Sequence, residues 1–146
     1  MMRARAVIAV MTAAAGAPAT ARADTGWEVR IPDKLEIAAG ATATLPIAIA
    51  VDRGLTISRD AGLIVDLAPE AGVIIKRRRL ARTEAVDPEA DAPRFAVPLR
   101  AETAGAHVVT VRVRFWLCGG RVCRPIDQKR SVAVTVTPAP DAPLAP

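Results

Sequence analysis

Cys118 and Cys123 are the only cysteines of the 146-residue chain, and they stand four residues apart across a Gly-Gly pair in "RFWLCGGRVCRP". Two chemistries are open to such a pair. A disulfide can exchange with a partner when a thiolate attacks one of its sulfurs and passes through a mixed disulfide. Arg121 and Arg124 flank the pair, and nearby cations favour thiolate over thiol. Gly119 and Gly120 leave the sulfurs open to another protein. The same bond can instead staple a hairpin, but a ring of about six residues contributes only roughly 2 kcal/mol by the loop-entropy model. The residues by themselves leave both uses standing.

Other site chemistry is thinly supplied. A metal centre needs three or four ligands of suitable type, and beyond the cysteines the chain has one histidine, His107. Eleven residues of continuous strand at about 3.3 Å each would put it roughly 36 Å from Cys118. That distance excludes shared ligation and a Cys-His dyad. His107 is expected at a strand start near the core edge. The sequence has no Gly-x-Ser-x-Gly elbow and no phosphate-cradling loop, and its carboxylates are scattered over turns. No metal and no cofactor is expected.

The elements that must hold the cysteines are strands. Apolar residues recur with period two in 27–31, 43–51, 62–67, 72–76, 94–100, 107–117 and 131–136, with Gly, Pro and Asp between them. In the longest, Val109, Val111, Val113, Phe115 and Leu117 share one face while Thr110, Arg112, Arg114 and Trp116 share the other. One face is therefore buried and one is wet. Seven to nine short strands in one domain predict an all-β, immunoglobulin-like antiparallel sandwich. Pro46 and Pro98 are expected at edges or bulges, because proline cannot donate to a ladder. The long strand runs into Cys118 and turns back toward Cys123. A two-residue turn at Gly119-Gly120 would set the cysteines diagonally, and a four-residue loop over 119–122 would set them directly opposite. Either way they reach disulfide distance, and an exported chain would form that bond.

Around this hairpin, "ARTEAVDPEADAP" (81–93) has two prolines and no aromatic residue and reads as an exposed acidic loop. Lys76, Arg77, Arg78 and Arg79 form a basic run. Such charge suits an edge or turn where it blocks edge-to-edge pairing; as a docking patch it would suit an acidic partner or a membrane surface.

The ends define compartment and extent. Arg3 and Arg5 precede an apolar run over 6–17, and Ala21-Arg22-Ala23 follows. That is the pattern of a secretory signal peptide over residues 1–23. The run is shorter than the roughly 18 residues a membrane helix needs. Without Arg3, Arg5 and Arg22 the formal charge falls from +5 to about +2, which removes the overall electrostatic footprint expected of a nucleic-acid binder. The sandwich is expected over 24–137. Residues 138–146, with four prolines, form a stiff and unpacked tail. A periplasmic or secreted protein is expected, with no stable membrane insertion.

The stretch from Gly105 to Val136, "GAHVVTVRVRFWLCGGRVCRPIDQKRSVAVTV", resembles the N-terminal periplasmic (alpha) domain of the thiol:disulfide interchange protein DsbD. The shared features are a long strand ending in an aromatic before the first cysteine, and a second cysteine with a nearby proline and a final strand. The resemblance implies a redox pair formed by Cys118 and Cys123, flanked by Trp116 and Phe115, with a lean toward Cys123 as the attacking sulfur. Its implied partners are thioredoxin-like periplasmic proteins or a membrane electron-transfer protein. In that family a cap loop shields the cysteines. The corresponding segment here is 81–93, with Glu84 and Asp87 as its acidic groups. The rival expectation is a non-catalytic immunoglobulin-like accessory or binding module, with a structural hairpin disulfide and an exposed face of Arg112, Arg114 and Trp116.

Overall fold

The computed structural model describes residues 26–139. The expected signal segment, 1–23, and most of the proline tail lie outside the described residues. Ten strands form: β1 (Trp27–Arg30), β2 (Lys34–Ala38), β3 (Thr42–Val51), β4 (Leu55–Ile57), β5 (Ile64–Pro69), β6 (Val73–Ile74), β7 (Arg79–Ala81), β8 (Phe95–Ala101), β9 (Gly105–Gly119) and β10 (Val122–Thr137). One four-stranded sheet runs β1-β3-β8-β6, and it faces a six-stranded sheet ordered β2-β10-β9-β5-β7, with β4 also paired to β9. The protein is an immunoglobulin-like β-sandwich.

Alternation builds the layers. Leu45, Ile47, Ile49, Val97 and Leu99 from the first sheet meet Val65, Val109, Val111, Val113 and Phe115 from the second, all buried. Successive strand residues point to opposite faces. Thr110 and Arg114 are accordingly half-buried and Arg112 and Trp116 exposed on the outer face of β9. The expected two-faced strand is present, and extends from Gly105 to Gly119. Trp27 closes one end of the core, edge-on to Phe115 with ring centroids 5.9 Å apart.

Three short strands, β2, β4 and β7, were not among the expected ones. β2 runs parallel to the end of β10, from Lys34 opposite Ala133 to Ala38 opposite Thr137, while the other strand pairs are antiparallel. The last strand begins at Val122, nine residues before the periodic stretch at 131–136. Pairing with β9 along its whole length, rather than burial of alternate residues, makes 122–130 a strand. The strands that carry Pro46 and Pro98, β3 and β8, are the two inner strands of the four-stranded sheet rather than edges, and each proline is tolerated because its nitrogen faces a flank left unpaired at that point. Ala101 donates its N–H to Ala41 on the β3 side at 3.1 Å, so by alternation Pro98 faces away from β3. There β6 pairs only with Ala101 and Arg100. Pro46 lies beyond the end of the β1 pairing, which stops at Ala48.

Candidate functional site

The turn of the long hairpin is two residues, Gly120-Arg121, one place later than the Gly-Gly pair suggests. Gly120 has φ of 60° and is followed by a residue at negative φ, the pattern of a type II′ turn. Gly119 has a different job. A Cβ there would lie 2.5 Å from a methyl of Leu55, so its bareness lets β4 close against the hairpin. With this turn Gly119 pairs with Val122, and Cys118 stands directly opposite Cys123. The pair is joined by a 2.04 Å disulfide with a Cα–Cα separation of 4.1 Å. So close an approach marks a non-hydrogen-bonded pair.

The two sulfurs have unlike surroundings. Cys118 is half-buried, flanked on its other side by β4, where Thr56 is its pairing partner. Ser58 extends that contact by donating its N–H to the Trp116 carbonyl at 2.8 Å. Cys123 is exposed, and among the described residues β10 pairs with no strand but β9 along 122–132. Trp116, 41% exposed, stands opposite Pro125 on the same outer face. Beside them a shallow hollow of about 380 Å³ is bordered by Gly62, Ile64, Arg114 and Asp127. Phe115 turns inward and is 1% exposed.

Below the tip the outer face is held by ion pairs. Asp66 accepts from Arg79 Nε at 2.7 Å and Arg114 Nη2 at 2.6 Å. These hydrogen bonds, with that to Arg79 leading, hold its carboxyl below the usual range against the pull of partial desolvation. Arg112 pairs with Asp127 through Nε at 2.9 Å and Nη2, and it lowers the Asp127 pKa in the same way. Arg112 and Arg114 are therefore engaged in ion pairs on the outer face they share with Trp116, where Arg112 and Trp116 remain exposed.

The segment 81–93 lies against β4, which separates it from the cysteine strand β9. Ile57 donates its N–H to the Asp91 carbonyl at 3.1 Å on the side of β4 away from β9. The residue that fixes the segment there is Arg82. It donates to the carbonyls of Pro88 and Ala90 at 3.0 Å each and of Ile57 at 2.9 Å. Its sequence neighbours gave no hint of this, because a lone arginine in a polar loop is usually solvated. The loop's acids are committed as well. Glu84 pairs with Arg77, Asp87 with Arg94, and Glu89 and Asp91 with Arg59. The backbone N–H of Arg94, followed by its guanidinium, lowers the Asp87 pKa.

The remaining candidates fall elsewhere. His107 is half-buried at the far end of β9, 2.7 Å from the Thr103 carbonyl, and packs over Gly72. Lys76, Arg77 and Arg78 are exposed on the crossover between the two sheets, and Arg79 opens β7. No group of three or more His, Cys, Asp or Glu is placed to hold a metal ion among the described residues. No helix among them is long and apolar enough to cross a membrane.

A sandwich carrying one exposed hairpin disulfide is thus the class that fold and site define. No family model matches the chain, and no curated protein matches it. Solved structures do. The chain is similar to a part of E. coli alpha-2-macroglobulin in its native conformation, at 18% identity and a TM-score of 0.50. The match covers 77% of this chain and 7% of that one. It is similar to murine CRIg at 8% identity and a TM-score of 0.47, over 76% of this chain and 98% of that one. A third match is the S-layer protein SbsC, domains 4 and 5, at 12% identity and a TM-score of 0.44, over 75% of this chain and 44% of that one. At such identities the likeness concerns the fold.

Proposed function

We propose that the protein is an exported thiol:disulfide exchange domain, similar to the alpha domain of DsbD, acting through Cys118 and Cys123. The observation that carries this reading is the placement of the disulfide. It joins two residues already paired in a ladder of fifteen residue pairs, so it adds little constraint, while Cys123 is open to a partner. In the reduced state the Cys123 thiolate attacks a partner disulfide, forming a mixed disulfide and releasing one partner thiolate. The Cys118 thiolate then attacks Cys123 Sγ, restoring the 118–123 bond and releasing the second partner thiolate. Two electrons pass to the partner, a thioredoxin-like protein, and a membrane electron-transfer protein would supply them. The N-terminal signal pattern and the disulfide both suit an oxidising compartment, periplasmic or extracellular.

One observation favours the rival, a non-catalytic binding module with a structural bond. The segment 81–93 sits beyond β4, has no aromatic residue, and has its carboxylates in ion pairs, so it does not cap the disulfide. Redox potential separates the two. Equilibrating residues 24–146 in graded glutathione buffers, with alkylation to read the thiol state, should give a midpoint between about −170 and −270 mV for an exchange pair. A bond that survives to about −300 mV or below is a staple.

A further inference from the structure

The edge of β10 between Cys123 and Ser131 is an open strand edge that starts at the disulfide. Ala133 donates its N–H to Asp33 on the β2 side at 2.9 Å. By alternation Cys123, Asp127, Lys129 and Ser131 also direct N–H and C=O away from β9, and Pro125 its C=O. Pro125 has no N–H to lose there, which is the position proline tolerates. β2 occupies this flank only from Ala133 onward. Among the described residues, the outward backbone groups of Cys123, Pro125, Asp127, Lys129 and Ser131 have no backbone hydrogen bond to another strand.

We propose that this edge receives an extended, acidic segment of a partner protein as an added strand, carrying the partner's reacting cysteine opposite Cys123. This deepens the exchange reading and rests on it for the role of the cysteine. Three observations commit the occupant. The stretch 121–131 carries Arg121, Lys129 and Arg130 against one acid, Asp127, which Arg112 already engages. That charge attracts an acidic segment and repels a second copy of the same edge. Inward of the edge, beside Arg130, a hollow of about 470 Å³ bordered by Val29, Ile31 and Pro32 leaves room for inward-pointing side chains. Finally, a residue opposite Cys123 on an added strand would stand about 4.5 to 5.5 Å away, within disulfide reach.

Such a strand sets three sulfurs in a row across neighbouring strands, in the order partner, Cys123, Cys118. A thiolate approaching along that row meets Cys123 Sγ opposite its bond to Cys118. The new bond joins the partner sulfur to Cys123. The 118–123 bond breaks, and Cys118 leaves as a thiolate that takes a proton from water. The flank of Cys118 offers no such approach, because β4 fills it.

The test uses the oxidised mature chain and a synthetic peptide of about eight residues, alternating glutamate with threonine. Its central cysteine is replaced by serine, so that docking is read without thiol chemistry. Backbone amide exchange by NMR should show new protection at Asp127, Lys129 and Ser131, with the even-numbered residues between them already protected by β9. Lys129→Pro removes one outward donor without touching the β9 ladder, and it should weaken peptide binding about tenfold. N-methylation of the peptide should abolish binding at one set of alternate nitrogens and spare it at the other. Absence of alternating protection overturns the proposal, as does protection that grows with protein concentration in the absence of peptide, which would mark self-pairing. The glutathione midpoint tests the exchange reading separately: a staple potential together with alternating protection would leave a docking edge without exchange.

Discussion

The two ends of the β9–β10 hairpin are built from one continuous ladder yet differ in what surrounds them. At the base, Val109, Val111, Val132 and Val134 are all at most 1% exposed, with the opposing sheet beneath and β2 alongside. At the tip, β9 remains buried at Phe115 and Leu117, while its partner β10 shows Val122 at 71% exposure and Ile126 only half-buried. The β9–β10 ladder is the same at both ends; coverage is not. A strand pair becomes core where a second sheet and a lateral neighbour reach it, and it becomes an accessible site where they stop. The disulfide lies just past that limit.

The comparison is most easily broken at Phe115 and Ile126, which pair across the tip. Phe115→Ala should cost about 3–5 kcal/mol by chemical denaturation, since it leaves a cavity under Trp27. Ile126→Ala, on the uncovered strand, should cost about 1 kcal/mol, in keeping with its partial burial. Equal losses would mean that β10 is as covered at its start as at its end. Next in size is the disulfide itself. Replacing both cysteines with serine should lower stability by about 2 kcal/mol or less, because the closed ring is short. Hydrogen exchange should then loosen at the tip and leave 109–113 and 132–136 unchanged. A larger loss, or one that spreads to the base, would make the bond a structural one.

How much of this was legible in the sequence follows the same division. "VTVRVRFWL" and "SVAVTV" alternate because a covered face must be apolar at every second position, and the fold class and the buried face of β9 could be read from them. "CRPIDQKR" does not alternate, because that part of β10 has no sheet over it, so periodicity reached only 131–136, and the start at Val122 was legible instead from the turn that brings the chain back through Cys123. The nearness of the cysteines followed from their spacing and the glycines between them. The register depended on which glycine turns: Gly120 adopts the positive φ, while Gly119 serves the approach of Leu55. The position of 81–93 was not legible, since it hangs on Arg82 reaching carbonyls some 25 residues back at Ile57. No local pattern encodes that contact.

The smallest expected effect concerns the ion pairs that tie the outer face of the tip to β5 and β7. Asp66 bridges Arg79 and Arg114, and its carboxyl titrates below the usual value in the folded protein. A lowered folded pKa means that the unfolded chain binds the proton more readily. The contribution is therefore complete above the unfolded value of about 3.9, and it disappears as pH falls through the folded value. Asp66→Asn should destabilise by about 1 kcal/mol near neutral pH. The gap between the two proteins should narrow below about pH 4 and close in stronger acid. High salt should narrow it too, because both arginines are reached by solvent. A gap that stays constant down to about pH 2 would show that the loss came from packing, and the outer face at the tip would then be held as the base is, by shape rather than by charge.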